Sequence, residues 1–124
     1  IEMIHDKGCK VALSYHDFDG MPEAQDIVRL IMGMAGYGAD MFKVAAMSHS
    51  KEDSTALLKA TAYLTKKEIG PVVTMAMGPE GVITRIVGGK YGSVMTFASV
   101  GQASAPGQIS ADIMKKKLDE FYGE

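Results

Sequence analysis

A chain of 124 residues is long enough to bury one modest core and too short for two domains, so residues 1–124 are read as a single domain. Its 47% apolar and 23% charged residues are ordinary for a globular protein, and a formal net charge of -2 gives no electrostatic case for a nucleic-acid partner. No apolar run approaches the roughly 20 residues of a membrane span. A single cysteine, Cys9, leaves no intramolecular disulfide to form, so the expected setting is the reducing cytoplasm.

The first residues, Ile1-Glu2-Met3-Ile4-His5-Asp6, lack the charge order and apolar core of a signal peptide. They read as the last turns of a helix ending at Gly8, which is how a fragment begins. Strand-like runs then start at Lys10, Met41, Pro71 and Gly92, each followed by a helical or helix-length segment. Between the first two, Pro22 and Glu23 open a helix whose Ile27, Leu30, Ile31 and Met34 share one face, closed by Gly36 and Gly38. Ser50, with Asp53 as its capping partner, starts a second helix through Leu57, Ala60 and Leu64 to Lys66, Lys67 and Gly70. The connection from Pro79 to Lys90 holds Gly81, Gly88, Gly89 and several β-branched residues, and predicts a short helix at most. A last helix follows Ser110 and turns Met114, Leu118 and Phe121 to the core. Its Lys115-Lys116-Lys117 run, flanked by Asp112, Asp119 and Glu120, predicts a solvated face.

Four βα units with buried strands imply a parallel sheet, because connections of this length return the chain parallel. Such units build either an open doubly wound sheet or a (β/α)8 barrel of which this would be half. In both, ligand chemistry belongs at the carboxyl ends of the strands.

Lys43 stands out within Met41-Phe42-Lys43-Val44-Ala45-Ala46-Met47, a run that otherwise reads as buried on both faces. Burial of an ammonium there lowers its pKa and yields a neutral amine, a nucleophile toward ketones. The bland alternative is a lysine that snorkels out at a strand end. Alternation puts Met41, Lys43, Ala45 and Met47 on one face, and small Ala45 leaves room for a ligand. An imine on Lys43 would acidify the adjacent carbon, and His16, one residue past the first strand, is placed to move that proton. Otherwise His16 is simply hydrogen-bonded to Asp17. Arg85 could clamp a carboxylate bidentately, or form a surface ion pair with Glu80 or another acid. Ser104-Ala105-Pro106-Gly107-Gln108 suits a lid, or is a plain loop; Met75 and Met77 line a pocket, or fill the core.

Nucleotide motifs fail. Gly88-Gly89-Lys90 is followed by Tyr91, and no Gly-x-Gly-x-x-Gly run exists. His5, Cys9, His16 and His49 lack the short spacings of a metal site, so no metal is expected.

Ser14-Tyr15-His16-Asp17-Phe18, Gly38-Ala39-Asp40-Met41-Phe42-Lys43-Val44-Ala45, Thr74-Met75-Ala76-Met77-Gly78 and Ala103-Ser104-Ala105-Pro106-Gly107-Gln108-Ile109-Ser110, in this order, resemble the type I 3-dehydroquinate dehydratases across essentially the whole chain. The resemblance implies a (β/α)8 barrel that dehydrates 3-dehydroquinate to 3-dehydroshikimate in the shikimate pathway. The reaction runs through a Schiff base, without a metal or organic cofactor. Lys43 then matches the imine-forming lysine and His16 the general acid/base. Arg85 matches the carboxylate-binding arginine, Ser104 and Gln108 the lid contacts, and Met75, Met77, Phe18 and Phe97 the pocket wall.

Two departures stand in this sequence: Phe42 where family members usually carry proline, and Ser48-His49 where they carry Pro-Gln. The larger departure is length, since a (β/α)8 barrel takes about 250 residues. The chain reads as the second half, strands five to eight. An open half exposes strand edges and a sheet face, so an amino-terminal half-barrel, a second copy, or a longer polypeptide should complete it; a homo-oligomer, such as a dimer, is also expected. Two other readings compete: a non-catalytic half-barrel fragment or assembly module, and another lysine-imine lyase of aldolase type.

Overall fold

The computed structural model describes residues 1–103 and 107–123. Three parallel strands, β1 (Ala12–Asp17), β2 (Met41–Met47) and β3 (Val72–Met77), lie in the order β1-β2-β3. The crossovers are α2 (Ala24–Gly36) and α3 (Lys51–Lys66), preceded by a short α1 (Glu2–Asp6). Register places Ser14 beside Lys43 and Lys43 beside Val73; two residues on, His16 lies beside Ala45 and Ala45 beside Met75.

The second crossover begins where side chains satisfy its first amides, whereas α2 starts after Glu23 without a side-chain cap. The Ser50 hydroxyl accepts from the Asp53 N–H (3.1 Å), and the Asp53 carboxylate accepts in turn from the His49 N–H (2.9 Å). The expected reciprocal cap therefore forms, with its return bond one residue earlier than the pattern suggests. Ile27 and Ile31 of α2, and Leu57, Ala60 and Leu64 of α3, then meet Phe42, Val44, Val72 and Ala76 of the sheet in the main core. Fully burying each of the larger side chains contributes about 1.5–3 kcal/mol. Phe42 also keeps a backbone bond to the Pro71 carbonyl (3.0 Å) that a proline in its place would lack.

The opposite face of the sheet carries a smaller cluster of Ala45, Val73, Met75 and Met77, with Met41, Met47 and Phe97 packed against it. Met41, Lys43 and Met47 remain partly exposed on this face, so β2 is not buried on both sides as its sequence suggests. Helices coat the first face, while among the described residues no strand lies against the second.

β3 is wholly buried and is followed by a single turn of 3-10 helix and α4 (Val82–Val87). The Thr84 hydroxyl donates to the Gly81 carbonyl (2.7 Å) and accepts from the Ala76 N–H (2.9 Å), fastening α4 to the end of β3. The chain closes with α5 (Ala111–Tyr122), capped by the Ser110 hydroxyl. Met114 is buried as expected, whereas Phe121 is 42% exposed and does not join the core.

The fourth expected strand, from Gly92 to Phe97, does not form a ladder among the described residues. Val94 N–H reaches the Val72 carbonyl (2.9 Å), as a parallel neighbour of β3 should. The companion bond would take the Thr74 N–H to the Val94 carbonyl, but the Ser93 hydroxyl captures that N–H instead (3.1 Å). Ser93 spends its own N–H on the Gly88 carbonyl. The segment is thus extended and adjacent to β3 without being a strand. No helix among the described residues is long and apolar enough to cross a membrane.

Candidate active site

Strand alternation in β2 and its neighbours sends Lys43, Ala45, Met75 and Met77 to the face away from the helices. They border a cavity of about 190 Å³ whose remaining walls are Arg85, Phe97 and Gln108. Larger grooves lie elsewhere, among them one of about 360 Å³ between α4 and α5 and one of about 430 Å³ between α2 and α3. Neither contains Lys43.

Lys43 points its ammonium over the Phe97 ring, 4.2 Å from the centroid. Loss of hydration lowers its pKa below the ordinary 10.5, and the positive charge of Arg85 adds to the fall. Lys43 is therefore a half-buried amine shifted toward its nucleophilic form.

Arg85 is 3% exposed, held by α4 with its Nη1 3.4 Å from the Met75 sulfur. Burial lowers its pKa as well, yet a guanidinium keeps its charge at any working pH. Its burial overturns the alternative of a surface ion pair with Glu80. Thr96, which drew no attention in the sequence, donates its hydroxyl to the Arg85 carbonyl (2.7 Å) and so links the extended segment to α4.

Gln108 reaches the cavity because the chain crosses the end of β3 at Gly107. Gly107 has φ +80°, and a Cβ there would stand 2.6 Å from the Gly78 carbonyl oxygen. Only glycine permits that approach. Ser104, the other lid residue expected to touch a ligand, lies outside the described residues.

His16 sits inside β1, not one residue beyond it, and is exposed. It shares the face of Lys43 through its pairing with Ala45 and stacks on Phe18, ring centroids 5.9 Å apart and 10° from parallel. Both rings stand outside the cavity wall, so Phe18, 57% exposed, is not the enclosed wall residue expected of it. The Asp17 carboxylate accepts from the Asp19 and Gly20 N–H groups (3.0 and 3.1 Å), leaving the His16–Asp17 alternative without support. Among the described residues no three His, Cys, Asp or Glu side chains gather as a cation site.

A parallel βα repeat that gathers a lysine of lowered pKa and a buried arginine at one cavity, on the face away from its helices, defines the class of half a (β/α)8 barrel with a polar inner site. Comparison with known proteins narrows it. A family model for type I 3-dehydroquinase matches residues 1–123, and the chain belongs to that family. It is 42% identical over 122 residues to a 3-dehydroquinate dehydratase of Listeria monocytogenes serotype 4a (strain HCC23), covering 98% of this chain and 48% of that relative. It is 43% identical over 120 residues to one from Klebsiella pneumoniae subsp. pneumoniae, covering 96% and 48%.

Among solved structures, the 3-dehydroquinate dehydratase of Geobacillus kaustophilus superposes with a TM-score of 0.94 at 38% identity, covering 98% of this chain and 48% of that one. A type I enzyme of Clostridium difficile, with covalently modified comenic acid, superposes at 0.90 and 36% identity with the same coverage. The chain thus spans about half the length of the relatives it matches, and the half-barrel expectation holds.

Proposed function

We propose that this chain is the imine-forming, carboxyl-terminal half of a 3-dehydroquinate dehydratase, a single domain over residues 1–124 that works in the cytoplasm. The observation that carries the reading is the meeting of Lys43, Arg85 and Gln108 at one cavity, with Lys43 shifted toward its neutral form.

The neutral Lys43 amine adds to the C3 ketone of 3-dehydroquinate, and loss of water leaves a protonated imine. That cation draws electrons from C2, and His16 removes the C2 proton. The resulting enamine pushes out the C1 hydroxyl, which leaves as water on receiving a proton from His16. Hydrolysis of the imine releases 3-dehydroshikimate and restores Lys43. Arg85 binds the substrate carboxylate through its fork of N–H groups. Ser104 and Gln108 close over the ring, Met75, Met77 and Phe97 wall it, and Phe18 supports His16 by stacking.

An amino-terminal half-barrel is the proposed partner, supported by the coverage of about half of each relative and by His16 standing exposed on an edge strand. A second copy of the chain is the competing occupant. The chemistry is tested by adding 3-dehydroquinate to the chain combined with an amino-terminal half, reducing with borohydride and mapping the added mass. An adduct on Lys43, absent from Lys43→Met, is the expected result. An adduct elsewhere, or none, would remove the dehydratase reading and favour a non-catalytic module.

A further inference from the structure

His49 is an exposed residue in the loop after β2. Its Nε2 lies 2.7 Å from the backbone carbonyl oxygen of Asp19, in the loop after β1. A carbonyl can only accept, so the ring nitrogen carries the hydrogen and donates. Both the neutral and the protonated ring can do so.

The bond joins two loops thirty residues apart in the chain. On one side His49 is fixed at the start of α3, since its own N–H is held by the Asp53 carboxylate and Asp53 is held by the Ser50 hydroxyl. On the other side the Asp17–Gly20 turn is a compact unit closed on the Asp17 carboxylate, with the Gly20 carbonyl accepting a further bond from the Met47 N–H (3.2 Å). That turn directly follows His16 and contains Phe18, its stacking partner. β1 runs directly into this turn, so bonds from the turn to neighbouring elements help set the position of its carboxyl end.

We propose that His49 is a positioning residue: through Asp19 it pins the β1 loop to α3 and thereby holds the His16–Phe18 pair over the face that carries Lys43. The inference rests on the dehydratase reading for its kinetic consequence, but not for its structural one. His49 itself lies outside the cavity wall.

The test uses the barrel completed by its amino-terminal half and two variants, His49→Ala and His49→Gln. Glutamine retains an N–H donor of similar reach. One exposed hydrogen bond is at stake, so His49→Ala should lower kcat about three- to tenfold with KM nearly unchanged. Borohydride trapping at Lys43 should persist, because the imine forms before His16 acts, and His49→Gln should recover most of the rate. In parallel, NMR should show the His16 ring resonances and the Asp19 and Gly20 amides displaced in His49→Ala and restored in His49→Gln.

An alanine variant with parental kcat and parental His16 resonances overturns the proposal, as does a glutamine variant no better than alanine. If the parent forms no Lys43 imine, the dehydratase reading fails by itself. The resonances of His16 then still decide whether His49 positions it.

Discussion

Lys43 is held between two demands: its strand requires an apolar residue, and the proposed chemistry requires an amine. Desolvation and the nearby Arg85 charge both disfavour the ammonium. In the interval between the lowered folded pKa and 10.5 the unfolded chain binds more protons than the folded one, so stability rises with pH there. Below the folded pKa the full cost of the buried charge remains. The reactive fraction of neutral amine grows through the same folded pKa, so over that interval reactivity and stability rise together. Carbamylation of Lys43 by cyanate, followed by peptide mapping, should therefore reach its plateau at a lower pH than a free lysine. Arg85→Met should move that plateau upward but not fully back, because desolvation is the larger cause and survives the substitution. A parental plateau at 10.5, or an Arg85→Met profile that moves down, would sink this account. Lys43 was legible in the sequence because an ammonium amid apolar strand residues has few explanations. The burial of Arg85 was not, since nothing in a six-residue helix rich in β-branched residues tells which side faces the sheet.

Elements in this half-barrel are fastened at their ends by polar side chains as much as by core packing. Asp40, just before β2, accepts from the Val11 N–H and from the His5 ring, each at 2.7 Å, and so ties α1 and the entry to β1 onto β2. The backbone bond from Val11, aided by the His5 bond, lowers the Asp40 pKa below 3.8. Such a carboxylate stabilises the fold above the unfolded pKa and loses that contribution as pH falls through the folded one. Asp40→Asn should thus unfold at lower urea than the parent at pH 6, with the gap closing below about pH 3.8 as the parent's own Asp40 protonates. A gap that persists at pH 2 would mean that charge is not the source. The same kind of side-chain bond explains what sequence patterning missed at this scale. Helical periodicity and the Ser50 cap located α2, α3 and α5, because apolar spacing and capping act locally. The segment from Gly92 carried an equally good strand pattern, yet the Ser93 hydroxyl takes the Thr74 N–H that a ladder needs. Which of two acceptors an amide chooses depends on tertiary register, and pattern alone does not carry it. His16 was placed one residue beyond its strand for a related reason, since β1 ends only where the Asp17 carboxylate closes the next turn.

At the scale of the molecule the sheet ends in β1, which has no neighbour among the described residues, and in β3, flanked only by the extended segment after Gly92, and its inner face is made of polar and apolar groups. Ala12, Ser14, Tyr15 and His16 of β1 are all exposed, although β2 and β3 are largely buried. The parallel βα repeat was legible because crossover length and buried strands leave few topologies; the choice of a barrel over an open sheet came from the resemblance and from the matched structures, not from periodicity. A barrel has no edges, so the shortest route to stability is to pair β1 and cover the inner cluster around Ala45, Val73 and Met75. The 190 Å³ cavity points the same way, being smaller than the roughly 300–1,000 Å³ of most ligand sites. Mixing the chain with an amino-terminal half-barrel should therefore give a one-to-one complex by sedimentation, with hydrogen exchange at the amides of residues 12–17 slowed at least tenfold on association. The same amides protected in the chain alone, together with a concentration-dependent doubling of mass, would instead make a second copy the occupant. If neither protection nor association is seen while the chain remains folded, β1 is a stable free edge and the completed-barrel account of the site is wrong. That outcome would also isolate His16 from any second wall, leaving Lys43 with an amine poised for addition but without a fixed partner to move the proton.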